Sequence, residues 1–305
     1  MNTQSNAMNS TPVAGHAVGP SDIPAIRQFY MSVQRELWEN RSIYIAPLAV
    51  AVLFLLGFLV SSIRLMQTLS SASSSQLHDA IVQPYDLVAG MIMAVTFVVA
   101  IFYCLDALYG ERRDRSILFW KSLPVSDTTI VLSKMAVPVV VVPLIAFALT
   151  VGVHLIMLLI GSAILQGSGI GAATLWRHVP LFHTWAVLFV HLVAGHGLSF
   201  APFYAWLLLV SAWARRTPFL WAVLPPLAIA GVEKIAFNTS YFVGMLLSRI
   251  AGGTQPSEPA ATMTMDAMTP PLGGLLSSPG LWIGFAVAAV FLVGAIRLRR
   301  DRGPI

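Results

Sequence analysis

The chain has 305 residues, of which 57% are hydrophobic and only 10% are charged, and its net charge is +5. Soluble domains carry about 25% charged residues, so this composition excludes a soluble globular protein and indicates an integral membrane protein. The basic excess does not indicate nucleic-acid binding, because Lys and Arg lie in the gaps between apolar segments. The single cysteine, Cys104, excludes an intrachain disulfide and a cysteine-rich metal site.

The N-terminal segment, residues 1–23, is rich in Ser, Thr, Asn, Gly and Pro. It lacks the apolar core that a signal peptide needs. We predict a disordered cytoplasmic tail over residues 1–23 and a membrane domain over residues 24–305.

An amphipathic helix is predicted directly before the first apolar span. Four apolar residues recur there at helical spacing and so share one face. These residues are Ile26, Tyr30, Val33 and Leu37. Pro24 suits the first turn of such a helix. Because the helix adjoins a span, we expect it to lie in the membrane surface rather than in water.

Six apolar segments approach or exceed the length of about 20 residues that a helix needs to cross a bilayer. Their apolar runs are continuous rather than alternating, which favours helices over a barrel. The sequence therefore predicts an all-α, polytopic membrane fold. The six predicted spans are 44–63, 86–109, 136–165, 184–214, 218–237 and 281–297.

Basic residues are distributed unequally between the two sides of these six spans. One side holds fourteen Lys and Arg residues and the other holds three. By the positive-inside rule the richer side is cytoplasmic, so both termini are predicted to be cytoplasmic. The three residues on the opposite side are Arg64, Arg177 and Arg249.

Two regions depart from regular spans. The string AGHGLSFAP, residues 194–202, holds two glycines and a proline within the fourth span, which predicts a kink or a locally broken helix. Between the fifth and sixth spans, YFVGMLLSRI (residues 241–250) is apolar but too short to cross a membrane. We predict that it forms a re-entrant or interfacial segment on the outer side.

Motifs for catalysis and metal binding are absent or incomplete in the sequence. No GxxxxGK[ST] string occurs, so the chain carries no P-loop ATPase motif of its own. No HExxH occurs either, and His191 and His196 are five residues apart, which does not place them on one helical face. We predict no catalytic residue and no metal site.

Glu233 and Lys234 lie within, or at the outer end of, the fifth predicted span. A charge at the middle of a membrane costs about 2.5–3.5 kcal/mol on insertion scales. These side chains therefore either reach the interface by snorkelling or serve a transport pathway. His196, beside the predicted break, is a third candidate for a pathway or gating role.

A dense group of charges stands between the second and third spans, in LYGERRDRSILFWKSLPVSD (residues 108–127). Glu111 and Arg115 have the i, i+4 order that supports a helix, Pro124 ends it, and Ser126 is placed to cap the next helix. The apolar ridge of the predicted helix consists of Ile117, Phe119, Trp120 and Leu123. Aromatic residues beside arginines are typical of protein interfaces, although a membrane anchor with Trp and Phe among the headgroups has the same composition.

The same segment resembles the cytoplasmic segment that follows the second span in permeases of the type-2 ATP-binding cassette (ABC) exporter family. The matching positions are Gly110, Glu111, Arg112, Ser116, Leu123, Pro124, Val125 and Ser126. The pair Asp114-Arg115 departs from the commoner pattern, in which a small residue stands there. The predicted layout, with a surface helix, six spans and a long outer segment before the last span, is also similar to that family.

This resemblance implies a non-catalytic permease subunit of the bacterial inner membrane, with a coupling helix that docks on a separate P-loop ATPase. Two permeases, as a homodimer or with a paralogue, and two ATPases would form the exporter. ATP and Mg²⁺ would bind to the ATPase, and this chain would hold no cofactor. The docking residues that the resemblance implies are Glu111, Arg112, Arg113, Asp114, Arg115, Ile117, Phe119, Trp120, Lys121, Leu123 and Pro124.

Two other classes of function stay open from the sequence. An ion-coupled secondary transporter would use Glu233 or Lys234 and would need no ATPase. A membrane-embedded enzyme would use the histidines and would bind a metal.

Overall fold

A computed structural model shows a chain built from helices joined by turns. The described residues are 24–69, 74–122, 125–167, 181–250 and 277–303. Side chains are described there except at 63–69, 74–81, 165–167, 193–196 and 247–250. The part of the chain so described is helical and contains no strand, which confirms the predicted all-α class. The predicted tail, residues 1–23, lies outside the described residues.

The described ranges contain twelve α-helices and two π-helical segments. The first half of the chain forms α1 (Ala25–Glu39), α2 (Ser42–Leu69), α3 (Ser74–Ala107), α4 (Tyr109–Arg113), α5 (Ser116–Ser122), α6 (Asp127–Ala136), π1 (Val137–Val141) and α7 (Val142–Gly167). The second half forms α8 (Leu181–Val190), π2 (His191–Ser199), α9 (Ala201–Trp213), α10 (Pro218–Phe237), α11 (Tyr241–Ile250) and α12 (Pro279–Asp301).

Five stretches are long and apolar enough to cross a membrane. They coincide with five of the six predicted spans, which supports a multi-pass membrane protein. These stretches are Ser42–Ser62, Val82–Arg113, Asp127–Ile164, Pro218–Phe237 and Pro279–Asp301. The count of six spans stays a prediction.

The fourth predicted span, residues 184–214, is not one continuous helix. It is divided into α8, π2 and α9, and both α-helical parts are too short to cross a membrane alone. The division falls where the two glycines and the proline predicted a break. A Cβ atom on Gly197 would lie 2.6 Å from the carbonyl oxygen of Val139 in π1, so only glycine fits this contact.

The core is built mainly from α3, α9 and α12, and α9 packs along the length of α12. One buried cluster, around Cys104, Tyr204 and Leu208, lies towards the end of the molecule that carries α1. A second cluster, around Ile92 and Met157, joins α2, α3, α7 and α8 towards the opposite end. These two clusters fix the helix ends from which the charged side chains project.

The predicted amphipathic helix is present as α1, which packs on α6. Val33 and Leu37 pack against the core, whereas Ile26 and Tyr30 are exposed. The apolar face is therefore only half covered by protein. Exposed apolar residues at this position are compatible with the predicted place in the membrane surface.

Candidate functional site

The segment that follows α3 forms two short helices, α4 and α5, rather than the single helix predicted from Glu111 onwards. Arg115 separates them in a left-handed conformation with φ of 59°. The predicted pair of Glu111 with Arg115 is therefore wrong. The carboxylate of Glu111 instead faces cations on other helices, which draw it into the protein.

Six charged side chains meet beneath α4, and we call them the ionic cluster. The cluster consists of Arg35 and Glu36 of α1, Glu111 of α4, Asp127 and Lys134 of α6, and Arg299 of α12. Lys134 lies at its centre, with Nζ 2.8 Å from Oε1 of Glu36 and 3.1 Å from Oε1 of Glu111. Arg299 pairs with the other oxygen of Glu111 at 3.1 Å and also with Asp127.

The ionic cluster is mostly buried, and its three cations face its three carboxylates. A further carboxylate, that of the half-exposed Glu39, lies 3.6 Å from Arg35 at the edge of the cluster. The side chains of Glu36 and Lys134 are 1% and 2% exposed, and that of Arg299 is 2% exposed. Charges removed from water are tolerated only when they are paired in this way. Burial by itself would raise the pKa of Glu36, but Lys134 and Arg35 reverse that effect and hold it below its ordinary value.

Two aromatic side chains extend the ionic cluster. The hydroxyl of Tyr103 in α3 donates a hydrogen bond to Oε2 of Glu36 at 3.0 Å. The guanidinium carbon of Arg35 lies 3.9 Å from the centre of the Trp120 ring in α5, which is a cation–π contact. Through these contacts α1 is tied both to the core and to α5.

Arg112 anchors α4 to the end of α9. Its side chain is buried, and Nη1 donates to the carbonyl oxygens of Ala212 at 2.5 Å and Ala214 at 3.2 Å. The hydroxyl of Ser211 accepts from the backbone amides of Leu108 and Tyr109 at 3.0 and 2.9 Å. These bonds satisfy carbonyls at the end of one helix and amides at the start of another, which would otherwise be unpaired.

The predicted docking residues divide between the interior and the surface. Glu111, Arg112 and Ile117 are buried within this chain and so form its attachment to the membrane helices. Arg113, Asp114, Arg115, Phe119 and Lys121 are exposed, and Trp120 is partly exposed. Leu123 and Pro124 lie outside the described residues. Leu118, which is not part of the predicted apolar ridge, is exposed beside Phe119.

Lys121, at the end of α5, reaches the end of α12. Its Nζ donates to the carbonyl oxygens of Arg300 at 3.1 Å and Arg302 at 3.5 Å. A cation at the C-terminus of a helix is favourable, because the last carbonyls there carry partial negative charge. Arg302, directly after α12, connects the end of this helix to the end of α9, because its guanidinium donates to the carbonyl oxygen of Trp213 at 2.8 Å.

Glu233, the candidate for ion coupling, is a cap for the helix that follows its own. Its carboxylate accepts from the amides of Tyr241 at 2.6 Å and Phe242 at 2.9 Å, and from the hydroxyl of Thr239 at 2.9 Å. The amides are those that begin α11, where a negative charge is favoured. Lys234 is exposed at the last turn of α10, and the side chain of His196 lies outside the described residues.

His154 is buried in the middle of α7. Its Nε2 lies 3.0 Å from the carbonyl oxygen of Tyr85, so this nitrogen carries the proton, and Nδ1 accepts from the indole of Trp185 at 3.2 Å. Both ring nitrogens are thus used in joining α3, α7 and α8. No group of three His, Cys, Asp or Glu side chains suited to a metal occurs among the residues that the structure describes.

The sequence did not predict that Glu111 pairs with Arg35, Lys134 and Arg299. One signal was available, since each lies at the end of an apolar or amphipathic helix on the same predicted side of the membrane. Comparison of the chain with protein-family models, with curated proteins and with solved structures gave no match.

Proposed function

We propose that this chain is the transmembrane permease subunit of an ABC exporter and that α5 docks on a separate P-loop ATPase. One observation carries the proposal. Leu118 and Phe119 of α5 are 58% and 60% exposed, while the opposite side of the α4–α5 segment is fixed to the membrane helices. A short helix presented on such a rigid base is suited to receiving force from a partner.

The chemistry of the exposed surface fits a protein groove. Its apolar part is formed by Leu118, Phe119 and the free edge of Trp120, and its rim carries Arg113 and Arg115. Aromatic and arginine side chains are the residues that most often dominate binding energy at protein interfaces. We infer a partner groove that is apolar at its floor and acidic at its margin.

The attachments of the segment would pass a displacement of α5 to four other helices. Arg112 connects it to α9, Glu111 connects it to α6 and α12, and Trp120 contacts Arg35 of α1. ATP and Mg²⁺ would bind in the partner, and closure of two ATPases would bring the α5 helices of two permease copies together. The helices would then respond by rigid-body movement.

The proposal places α5, α1 and both termini in the cytoplasm and the chain in a bacterial inner membrane. Its support is the excess of Lys and Arg on that side. The exported molecule is not identified by these features. A fluorescent tag at the C-terminus that is quenched only from the cytoplasmic face would test the orientation.

We expect a P-loop ATPase to co-purify with the wild-type chain when the chain is expressed together with its flanking genes, and this co-purification tests the docking assignment. Phe119→Asp places a charge in the apolar part of the surface, and we expect at least about a tenfold loss of co-purified ATPase. Phe182→Asp is the matched control, because Phe182 is 85% exposed at the start of α8, at the opposite end of the molecule. Both variants should insert and retain the wild-type unfolding temperature.

Equal recovery of the ATPase with Phe119→Asp and with the wild type would overturn the docking assignment. Transport driven by a proton gradient in vesicles that contain no ATPase would instead establish a secondary transporter. Trp120 is unsuited to this test, since its contact with Arg35 makes loss of docking and loss of folding difficult to separate.

A further inference from the structure

A groove of about 420 Å³ opens on the lipid-facing surface between α1, α6, π1, π2, α9 and α12. Every side chain that lines it is apolar. The residues that define its extent are Phe29, Leu132, Val139, Leu198, Phe285 and Leu292. Its volume falls within the range of about 300–1,000 Å³ that is usual for small-molecule sites. The groove is open along its side, so a ligand in the membrane has direct access.

The two π-helical segments form part of this groove. Val139 belongs to π1 and Leu198 to π2, and the segments touch through the contact of Gly197 with the carbonyl oxygen of Val139. A π-helical turn interrupts the regular ridges by which helices pack, and such turns occur often at functional sites. The groove therefore results from the backbone geometry of the two π-helical segments and not from one small side chain.

The groove has the length of part of one leaflet. Phe285 and Leu292 are seven residues apart in α12, which is about 10 Å along the helix axis. One leaflet of the hydrocarbon core is about 15 Å thick, half of the usual core. Leu132 and Met135 flank Lys134 in sequence, so the groove lies beside the ionic cluster, in the leaflet on the α1 side.

Positive charge lies at the α1-side end of the groove. Arg300 follows Ala289, which lines the groove, by about three turns of α12, so the two residues share one side of the helix. The guanidinium of Arg300 is exposed and has no ion-pair partner in the described part of the chain. The ammonium of Lys121 lies 3.1 Å from the carbonyl oxygen of Arg300 and adds a second cation there.

We propose that this groove binds one acyl chain of an anionic phospholipid from the α1-side leaflet, with its phosphate near Arg300 and Lys121. The apolar lining takes the chain, and the two cations select the headgroup, as basic residues at helix ends do for anionic lipids. This inference does not depend on an ATPase or on transport.

The test uses the full chain in nanodiscs that contain phosphatidylcholine and phosphatidylglycerol in equal amounts. A photoreactive benzoylphenylalanine replaces Ala289 in the groove, and in the control it replaces Ala286, which is exposed on another side of α12. Mass spectrometry identifies the lipid joined to each position. We expect adducts at position 289 to be enriched about fivefold in phosphatidylglycerol, and adducts at position 286 to follow the bulk composition.

A matched pair of charge variants tests the headgroup site. Arg300→Gln should remove most of the enrichment at position 289, whereas Arg297→Gln, an equal loss of charge on the exposed part of α12, should leave it unchanged. Equal lipid composition at positions 289 and 286 would overturn the proposal. A crosslink from position 289 to a second copy, or to residues 1–23, would overturn it in favour of that occupant.

Discussion

The two ends of the molecule use charged side chains in different ways. At the α1 end, the ionic cluster joins α1, α4, α6 and α12, and Glu111 and Arg299 in it are 188 residues apart in sequence. At the opposite end, Glu233 binds amides only eight and nine residues later. The first arrangement fixes how helices pack against one another, and the second fixes a single turn. The ionic cluster therefore stabilises the packing of four helices, whereas the contacts of Glu233 stabilise the start of one helix.

This difference follows from the cost of burial. The three carboxylates of the ionic cluster have lost most of their contact with water and depend on three cations for compensation. Glu233 is only partly buried, so water and the helix amides share its compensation. Removal of one partner should accordingly be severe at the α1 end and mild at the other.

The largest effect is expected from Lys134→Met. It leaves the carboxylates of Glu36 and Glu111 without the more deeply buried of the two cations that they share, and loss of one partner from a buried ion pair typically costs about 3–5 kcal/mol. Unfolding of the purified protein in detergent, followed by tryptophan fluorescence, measures the change. Lys234→Met is the matched control at the opposite end, where the side chain is exposed, and it should change stability by less than about 0.5 kcal/mol.

Similar losses of stability in these two variants would show that the two ends do not differ in how strongly they depend on a charged side chain. That result would mean that water reaches the ionic cluster and compensates for the missing ammonium. A larger loss of stability for Lys234→Met than for Lys134→Met would show that the end with Glu233 depends more strongly on its charged side chains.

A smaller effect is expected on acidification, because Lys134 and Arg35 still pair with Glu111 when Glu36 is protonated. The pKa of Glu36 in the folded protein lies below the ordinary value of about 4.3. The ion pairs of Glu36 therefore contribute fully above that pH, and their contribution is lost as the pH falls through the lower, folded-state pKa. Unfolding free energy measured against pH should fall in this window in the wild type.

Glu36→Gln should lack this component of the acid loss, because the amide does not titrate. Glu39→Gln is the control. Glu39 also pairs with Arg35, at 3.6 Å, but burial raises its pKa instead of lowering it, so this variant should retain the wild-type acid loss. An unchanged acid profile in Glu36→Gln would show that Glu36 contributes no pH-dependent stability.

The smallest effect is expected from Glu233→Ala, which removes the cap of α11. The loss of this helix cap should be confined to one turn. Hydrogen exchange at the amides of Tyr241 and Phe242 should become about fivefold faster, with no change at Lys134. Faster exchange throughout the chain would show that this end is coupled to the rest of the fold, contrary to the comparison.

Much of the fold was predictable because it depends on local sequence. Five of the six predicted spans coincide with apolar helices, since continuous apolar runs leave few alternatives to a membrane helix. Ser126 caps α6 as predicted, with its hydroxyl accepting from the amide of Thr129 at 3.1 Å. The break within residues 194–202 was also visible, because two glycines and a proline weaken a helix whatever surrounds it.

The candidate site was predictable only in part. The charged segment was found from its composition, but the sequence assigned Glu111 and Arg112 to the surface with Phe119. Helical spacing distinguishes the faces of one helix, and here the segment is two helices separated by Arg115. The direction of each face depends on the turn between them, which no periodic pattern records.

The all-helical class and the several membrane-length helices follow from the sequence alone, because hydropathy acts over one helix at a time. Helix packing, by contrast, sets the contacts of Glu111 with Lys134 and Arg299 and of Arg112 with the end of α9. A buried charged side chain pairs with the oppositely charged or polar group that helix packing brings within a few ångströms of it. That packing is set by two apolar cores whose members are scattered along the chain.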